Sequence, residues 1–435
     1  MRKAERFMDN NGVMRRQCEA YVKKMLAVQR FNLKDFVAFM EPIFARFGYR
    51  EPTENSAPNF NRKWKNILVV RPDSVSDVIL TGGFLRELRR NLPQAHITLI
   101  VNPLAEPLMN KCPYINELRV FYTNGATALL DAIAFCQQYL WQRRYDLCLC
   151  PRWDIDESQA LMVGYLSGAK ERIGYSETVH PAKAEQNKGF DNLLTAAVTE
   201  PHGYVHEAAR NFYLLAQLGL TIASDEPEIW LTGRDENKAL RLLRNFRGER
   251  VLATVALGAN EPGQKYPVEK FVSALRPLAE ANLAFVLLGS GNFSLEGYYF
   301  HRHMPQGSVL NLIGCNSRRV DAAIVGETSL YIGNNTSLTH IAAALKVPVV
   351  EVVADAEESA YDPRTYSIYE RYYPWKVPAI VLRPRHALAP CDKVPTVGGC
   401  SAPKPHCITQ IPPEELCQAV ISMAAYLGEQ ATTEV

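Results

Sequence analysis

The feature that most constrains the fold of this chain is an alternation of short apolar runs and helical segments. It begins with Asn66–Arg71 (NILVVR), passes through a helical stretch at Val78–Arg90, and includes further apolar runs at Ile97–Val101 and Asp146–Cys150. These runs are too short for helices and are rich in aliphatic residues, which is typical of buried strands. Strands separated by helices form βαβ units, so a parallel sheet with helices on both faces is predicted.

The same alternation restarts after residue 246. Strands are predicted at Val251–Leu257, Ala284–Leu288, Leu330–Ile332 and Val347–Val353, with helices at Val268–Ala281, Val320–Gly326 and Ser337–Leu345. A chain of 435 residues is long enough for two domains. We therefore predict an α/β fold with an N-terminal Rossmann-like domain over residues 63–245 and a C-terminal one over 246–435, joined near the charged stretch at 235–250. No short repeat is visible, which excludes a solenoid.

Residues 1–62 lie outside this alternation and are predicted to form a helical extension and a linker. The first 50 residues contain 11 lysines and arginines against five acidic residues. Their apolar residues follow helical spacing, and residues 51–62 have turn and linker composition. A solvated helix face explains the basic excess better than contact with anionic lipid, although the second alternative stays open.

Composition excludes several classes of protein. Apolar residues make up 47% of the chain, charged residues 22%, and the net charge is +2, so neither disorder nor a nucleic-acid partner is expected. The N-terminus lacks the apolar run of a signal peptide, and a cytoplasmic location is predicted. Three of the ten cysteines, Cys391, Cys400 and Cys407, cluster near the C-terminus at spacings unlike usual zinc pairs. Free thiols are the preferred interpretation, with metal ligation, together with His406, as the alternative.

The segment from Gly333 to Leu345 (GNNTSLTHIAAAL) is the sharpest local motif. A buried strand ends there, small polar residues follow, and an alanine-rich helix begins. The first N–H groups and the positive end of such a helix form a seat for a phosphate or diphosphate. Thr336 and Ser337 are suited to cap the helix and to donate to the anion, and His340 lies one turn further on. Simple capping and a packed histidine are an equally good explanation of this motif alone.

This segment resembles the V-G-N-D-T-G-P-M-H-L-A-A-A-L-G-x-P block of family-9 glycosyltransferases, the heptosyltransferase family. Residues 69–81 resemble the family's R-x-x-x-x-G-D-x-x-x-T-x-P block, in which Asp77 matches the proposed general base. Residues 256–267 resemble a third block, in which Lys265 matches the lysine that meets the donor diphosphate. Outside these blocks, residues 85–93 (LRELRRNLP) follow the family's L-R-x-L-R-R-x-x-P pattern.

The resemblance, which spans about residues 66–425, implies a GT-B architecture, with two Rossmann-like domains facing a central cleft. It implies inverting transfer of a heptose or related sugar from a nucleotide-diphosphate sugar, such as ADP-heptose, to a lipopolysaccharide-type or other glycan acceptor. The implied catalytic residues are Asp77 and Lys265. The implied donor-binding residues are Asn260, Lys265, Glu296, Asn335, Thr336, Ser337 and His340. No D-x-D metal motif occurs in the expected turn, so no metal and no cofactor besides the co-substrate are expected.

Two alternatives remain open. Asn335, Ser337 and Ser76 stand where the family has aspartate and two glycines, and no proline follows Thr81. Such changes fit a catalytically degenerate member that binds a nucleotide sugar or a partner protein, although Asp77 and Lys265 are retained. An epimerase-like enzyme of the same architecture is the other alternative. A lipid-linked acceptor would give the basic N-terminus a role in peripheral contact with the cytoplasmic face of the inner membrane.

Overall fold

The computed structural model describes residues 2–27, 32–49, 64–123, 125–199, 203–358, 367–391, 400 and 402–433. Contacts divide the chain into two compact units, one ending at Asp225 and the other beginning at Glu226. The predicted boundary at residue 245 falls inside a helix, Gly233–Arg247, that packs within the second unit. The predicted linker at 51–62 lies outside the described residues.

The first unit contains a parallel sheet of six described strands in the order β3-β2-β1-β4-β5-β6. The central strands are almost entirely buried and aliphatic, which is expected when helices cover both faces. The strands are β1 (Asn66–Arg71), β2 (His96–Val101), β3 (Glu117–Val120), β4 (Leu147–Cys150), β5 (Glu171–Tyr175) and β6 (Ala196–Val198).

The second unit repeats this plan, with six described parallel strands in the order β12-β11-β10-β7-β8-β9. Its core joins the central strands to the helices at 268–280 and 413–433. The strands are β7 (Val251–Ala256), β8 (Leu283–Leu287), β9 (Val309–Asn311), β10 (Leu330–Asn334), β11 (Val349–Val352) and β12 (Ala379–Leu382).

Helices connect successive strands, as expected for βαβ units, and further helices precede β1 and follow β12. In the first unit they are α1 (Arg2–Ala27), α2 (Leu33–Arg46), α3 (Val75–Ile79), α4 (Gly82–Asn91), α5 (Glu106–Met109), α6 (Ala128–Phe135), α7 (Ala160–Leu166), α8 (Pro181–Gln186) and α9 (Glu207–Gln217). In the second they are α10 (Gly233–Arg247), α11 (Val268–Glu280), α12 (Ser294–His303), α13 (Arg318–Gly326), α14 (Ser337–Ala344), α15 (Ile368–Tyr372) and α16 (Pro413–Thr433). None of the helices in the described ranges is both long and apolar enough to span a bilayer.

The two N-terminal helices belong to the core of the first unit. Phe36, Met40 and Phe44 of α2 are fully buried, and the Phe44 ring meets Tyr165 of α7 edge to face at 5.7 Å. Cys18 of α1 is also fully buried in this cluster. The helical prediction for this segment is confirmed. The apolar residues of α1 and α2 pack into the hydrophobic core of the first unit, so these helices are part of that unit.

The single helix predicted at Val78–Arg90 is two helices, α3 and α4. Gly82 and Gly83 follow the break, and glycine lowers helix stability by about 1 kcal/mol per residue relative to alanine. The Thr81 hydroxyl donates to the carbonyl oxygen of Asp77 at 2.8 Å, which closes the first helix. Asp77 therefore belongs to α3 and not to α4.

Candidate functional site

The first sheet has its topological switch point between β1 and β4. On one side of β1 lie β2 and then β3, and on the other side lie β4, β5 and β6. In open parallel sheets this divergence opens a crevice at the carboxyl ends of the strands, where ligands bind. The loop after β1 leads into α3 with Asp77, and the loop after β4 carries Arg152.

Asp77 is held from several sides at this crevice. Arg152 Nη1 donates to Asp77 Oδ2 at 2.8 Å, and Arg71 Nη2 lies 3.6 Å from Oδ1. Ser74 caps α3 and its hydroxyl donates to Oδ2 at 2.9 Å. The carboxylate is therefore fixed in orientation, and its residue is only 2% exposed. Arg71 and Arg152 were not predicted as site residues. Arg71 is the last residue of β1, and Arg152 lies two residues after β4.

Arg71 is the centre of a buried ionic network. Its guanidinium contacts Asp73 at 3.1 Å and Glu207 of α9 at 3.2 Å, and Glu207 also lies 3.6 Å from Arg210. Burial raises the pKa of Asp73 to about 6, while Arg71 opposes this shift. Because α9 reaches the end of β1 through this network, it fixes the loop that precedes Asp77. Glu207 was not among the predicted site residues, because its partner Arg71 lies 136 residues away in the sequence.

A cavity of about 500 Å³ opens at the same edge of this sheet. Its walls are the loops that follow β1, β2, β3 and β4, formed by residues 72–75, 102–104, 121–123 and 157–158. Asp73 and Ser74 line it, and Leu104 and Tyr122 are exposed there at 59% and 69%. Exposed apolar groups beside the buried carboxylate of Asp73 suit a ligand with hydroxyl groups and an apolar face.

The second sheet has its switch point between β7 and β10. Asn334, the last residue of β10, is fully buried and joins the loops there. Its Oδ1 accepts from the Tyr266 N–H at 2.9 Å, and its Nδ2 donates to the carbonyls of Leu257 and Gly258, both at 3.0 Å. Asn334 therefore ties the end of β10 to the loop that carries Lys265. It lies within the singled-out motif, but its role depends on partners about 70 residues away.

The turn after β10 begins α14, as predicted. The Thr336 hydroxyl accepts from the Leu338 N–H at 3.2 Å, and Thr339 completes a reciprocal capping box. Thr336 is thus the N-cap and Ser337 the first helical residue, so only the first of the two predicted caps is used. Both residues are part-exposed at the positive end of the helix dipole. The turn can present an N–H and a hydroxyl to an anion.

Lys265 and Glu296 form an ion pair, which brings two predicted donor residues together across 31 residues of sequence. Both side chains are part-exposed. The Phe293 ring beside them packs against Gly258, where an added Cβ would lie 2.3 Å from Phe293 Cε2. The loops after β7 and β8 therefore depend on glycine at position 258 for their close approach. Asn260, in the same β7 loop, is exposed.

His340 and Asn335, in and before α14, both contact Tyr372. His340 is 1% exposed and its ring centroid lies 6.0 Å from that of Tyr372. Asn335 Nδ2 donates to the Tyr372 carbonyl at 3.4 Å. Beneath them Glu351 of β11 is fully buried and accepts from the Thr339 hydroxyl at 2.7 Å. Burial raises the pKa of Glu351 to about 8. An acidic residue inside an apolar run was the sequence signal for it.

The four residues Cys391, Cys400, His406 and Cys407 can hold a metal ion. Their ligand atoms all lie within 4.8 Å of one another, in the second unit. From the sequence, free thiols were the preferred interpretation. The structure brings these side chains to one point, although they are spread over 17 residues.

The amino-acid sequence is similar to those of known proteins. The model of glycosyltransferase family 9 (heptosyltransferase) matches residues 155–372. Lipopolysaccharide heptosyltransferase 2 of Salmonella typhimurium is 22% identical over 311 residues, covering 69% of this chain and 86% of the relative. Lipopolysaccharide heptosyltransferase 3 of Escherichia coli is 24% identical over 307 residues, covering 68% and 84%.

Solved structures agree on the fold. A family 9 glycosyl transferase from Veillonella parvula superposes with a TM-score of 0.67 at 18% identity, covering 84% of this chain and 98% of that one. E. coli ADP-heptose lps heptosyltransferase II superposes with a TM-score of 0.60 at 18% identity, covering 84% and 99%. The predicted α/β fold of the GT-B class is confirmed. With its two Rossmann-like units and a family match over half its length, the chain belongs to glycosyltransferase family 9 and is a glycosyltransferase.

Proposed function

We propose that this enzyme transfers a heptose or related sugar from a nucleotide-diphosphate sugar, ADP-heptose or a similar donor, to a lipopolysaccharide-type or other glycan acceptor. Its curated relatives are lipopolysaccharide heptosyltransferases. The observation that carries the proposal is that both sheets present the family-matched residues at their switch points, where α/β sheets bind ligands. The reaction inverts the configuration at the anomeric carbon of the transferred sugar and uses no metal ion.

In this proposal the second unit binds the donor. The N-terminus of α14, with Thr336 and Ser337, and the ammonium of Lys265 face the diphosphate and neutralise the charge that grows on it as it leaves. Glu296 holds Lys265 in place before the donor arrives. When the diphosphate binds, it competes for this ammonium, and the Glu296 carboxylate is then available to the donor ribose. Asn260, Asn335 and His340 complete the donor contacts.

Asp77 is the general base on the acceptor side. It takes the proton of an acceptor hydroxyl, whose oxygen forms a bond to the anomeric carbon while the bond to the nucleoside diphosphate breaks. The bonds from Arg152 and Ser74 keep the carboxylate in one orientation. General-base catalysis contributes typically 10² to 10⁴ in rate. The cavity beside Asp73 and Ser74 supplies space for the acceptor sugar.

The base assignment is tested with Asp77→Asn. We expect turnover to fall at least about 100-fold, because the amide of asparagine cannot act as a general base. The dissociation constant of the donor should be unchanged. Asp35→Asn, an exposed aspartate of α2, serves as the matched control and should retain full turnover. Normal turnover of Asp77→Asn would refute the assignment.

The donor site is tested with Lys265→Ala, which should weaken donor binding and turnover together. Lys238→Ala, an exposed lysine of α10, is the control. A thermal-shift panel of ADP, UDP, GDP and CMP, with their sugar conjugates, identifies the base, since a ligand at 100 times its dissociation constant stabilises by about 2.7 kcal/mol. Donor binding without transfer to any glycan acceptor would favour the degenerate member, and isomerised sugar formed without acceptor would favour the epimerase.

A cytoplasmic location with contact at the inner-membrane surface completes the proposal. Arg16, Lys23 and Lys24 are exposed on α1, and Arg16 lies two turns from the lysine pair. A lipid-linked acceptor would bring this basic face toward anionic headgroups, which attract basic residues by about 1 kcal/mol each. Charge reversal at Lys23 and Lys24 should reduce binding to anionic vesicles at low salt. Unchanged vesicle binding would restrict α1 to its packing role.

A further inference from the structure

A cluster of three thiols and one imidazole lies where the chain after β12 turns toward α16. Cys391 is part-exposed, Cys400 and Cys407 are 3% and 1% exposed, and His406 is part-exposed. The Nδ1 atom of His406 lies 3.8 Å from the sulfur of Cys391, 3.6 Å from that of Cys400 and 3.3 Å from that of Cys407. One imidazole nitrogen therefore faces all three sulfurs.

These separations match the edges of a metal-centred tetrahedron. Zinc binds thiolate sulfur at about 2.3 Å and imidazole nitrogen at about 2.05 Å, so tetrahedral angles place two sulfurs about 3.8 Å apart and a sulfur and a nitrogen about 3.6 Å apart. The sulfurs of Cys391 and Cys400 are 3.7 Å apart. All four ligand atoms lie within 4.8 Å of one another. A small ion at the centre reaches all four with little adjustment.

The surroundings favour a metal thiolate over a disulfide. The backbone N–H of Leu388 donates to the Cys407 sulfur at 3.3 Å, as outer-shell donors do for metal-bound thiolates. A disulfide would bring one pair of sulfurs to about 2.05 Å and would leave the third thiol and the imidazole without a shared role. Three cysteines and one histidine around a common point are instead a complete ligand set for a closed structural site.

We propose that Cys391, Cys400, His406 and Cys407 bind one thiophilic transition-metal ion, zinc or iron, in a structural site. Soft thiolates with one imidazole in tetrahedral geometry select these metals over magnesium or calcium. The ion takes no part in sugar transfer. It holds Cys391, which follows β12, beside Cys400, His406 and Cys407, which precede α16, and this assignment is independent of the proposed function.

The loop held by this site supports the segment that carries Lys265. An added Cβ at Gly263 would lie 2.8 Å from the carbonyl oxygen of Ala402 and 3.0 Å from that of Cys400, so the two segments are in backbone contact. The Tyr266 hydroxyl donates to the Ile411 carbonyl at 3.1 Å, and Lys270 Nζ donates to the same oxygen at 2.9 Å. We expect the metal ion to position this segment through these contacts, a second role that does rest on the proposed function.

Elemental analysis of the purified full-length protein tests the site directly. We expect about one zinc or iron per chain, and the measurement itself distinguishes the two metals. Cys400→Ser should lower the occupancy to below about one tenth, because loss of a thiolate ligand removes most of the binding energy of such sites. Cys417→Ser, a substitution in α16 outside the cluster, is the matched control and should keep the full metal content.

Two further measurements test the metal site on the wild-type protein, in case Cys400→Ser folds poorly. Cobalt added to wild-type protein stripped of metal should give the visible absorption of a tetrahedral thiolate site. Thiol titration of the denatured, unreduced protein should report ten free cysteines. Two fewer thiols would show a disulfide and overturn the proposal. So would protein that contains no metal and binds neither zinc, iron nor cobalt.

The positioning role has its own readout in hydrogen–deuterium exchange. Removal of the metal should speed exchange in peptides covering residues 262–270 and 402–411, and leave the first-unit strands unchanged. The Michaelis constant for the donor should rise in parallel. Metal loss without faster exchange would refute the positioning role and leave the metal site intact, whereas failure of sugar transfer in fully metallated protein would count against the proposed function alone.

Discussion

Replacement of Glu351 by glutamine gives the most quantitative test of the donor-domain interior. Glu351 lies fully buried in β11 beneath the turn that begins α14, and accepts from the Thr339 hydroxyl at 2.7 Å. Burial raises its pKa to about 8, while hydrogen bonds from Thr339 and Asn335 act in the opposite direction. The carboxyl group is therefore mostly neutral at pH 7, and a glutamine side chain imitates that form.

The sign of the pH dependence follows from linkage between protonation and folding. The unfolded chain releases this proton near its ordinary pKa of 4.5, whereas the folded chain keeps it until about pH 8. Between these values the folded state binds the extra proton, so the free energy of unfolding decreases as pH rises. The decrease is about 1.4 kcal/mol per pH unit at most, and about 2 kcal/mol between pH 6 and pH 8. Above pH 8 it levels off.

Urea unfolding of wild type and Glu351→Gln at pH 6, 7 and 8 measures this contribution. We expect the stability of wild type relative to the variant to fall by about 2 kcal/mol across this range. Glu280→Gln, at an exposed glutamate of α11, should show the same pH dependence as wild type. A constant difference between wild type and Glu351→Gln would refute the inference that this buried carboxyl group is neutral in the folded protein.

Three further substitutions test the packing within the two units. Asn334→Ala leaves three backbone partners unpaired and should cost about 3 kcal/mol in urea unfolding; a cost below about 1 kcal/mol would contradict the role of Asn334 as the link between β7 and β10. Phe44→Ala should cost about 3–5 kcal/mol, whereas a near-neutral result would mean that α2 does not share the first unit's core. Gly258→Ala should weaken donor binding by displacing Phe293, and Phe293→Leu in the same chain should restore part of it; no loss in the single variant would refute the close approach.

The strands of both sheets could be predicted where their signal is local. The predicted runs at 66–71, 97–101 and 251–257 agree with β1, β2 and β7 to within one residue at each end, because a buried parallel strand is apolar along its whole length. No strand was predicted at β3, β5, β6, β9 or β12, and all of these except β5 lie at the edges of their sheets. The four edge strands are three or four residues long, and β3 and β5 mix charged with apolar residues. Such a strand forms because its neighbour offers hydrogen-bond partners, as β2 does for β3.

The amino-acid sequence alone determined the fold class, the positions of the family-matched blocks and the cap at Thr336, since each depends on neighbours within one turn or one strand. Tertiary structure decided the partners. Arg71 meets Glu207 across 136 residues, Lys265 meets Glu296 across 31, and Cys391 meets His406 across 15. Side-chain periodicity reports which face of an element is buried, but which charges or sulfurs share a site depends on strand order and loop path, and these are set only when the sheets assemble.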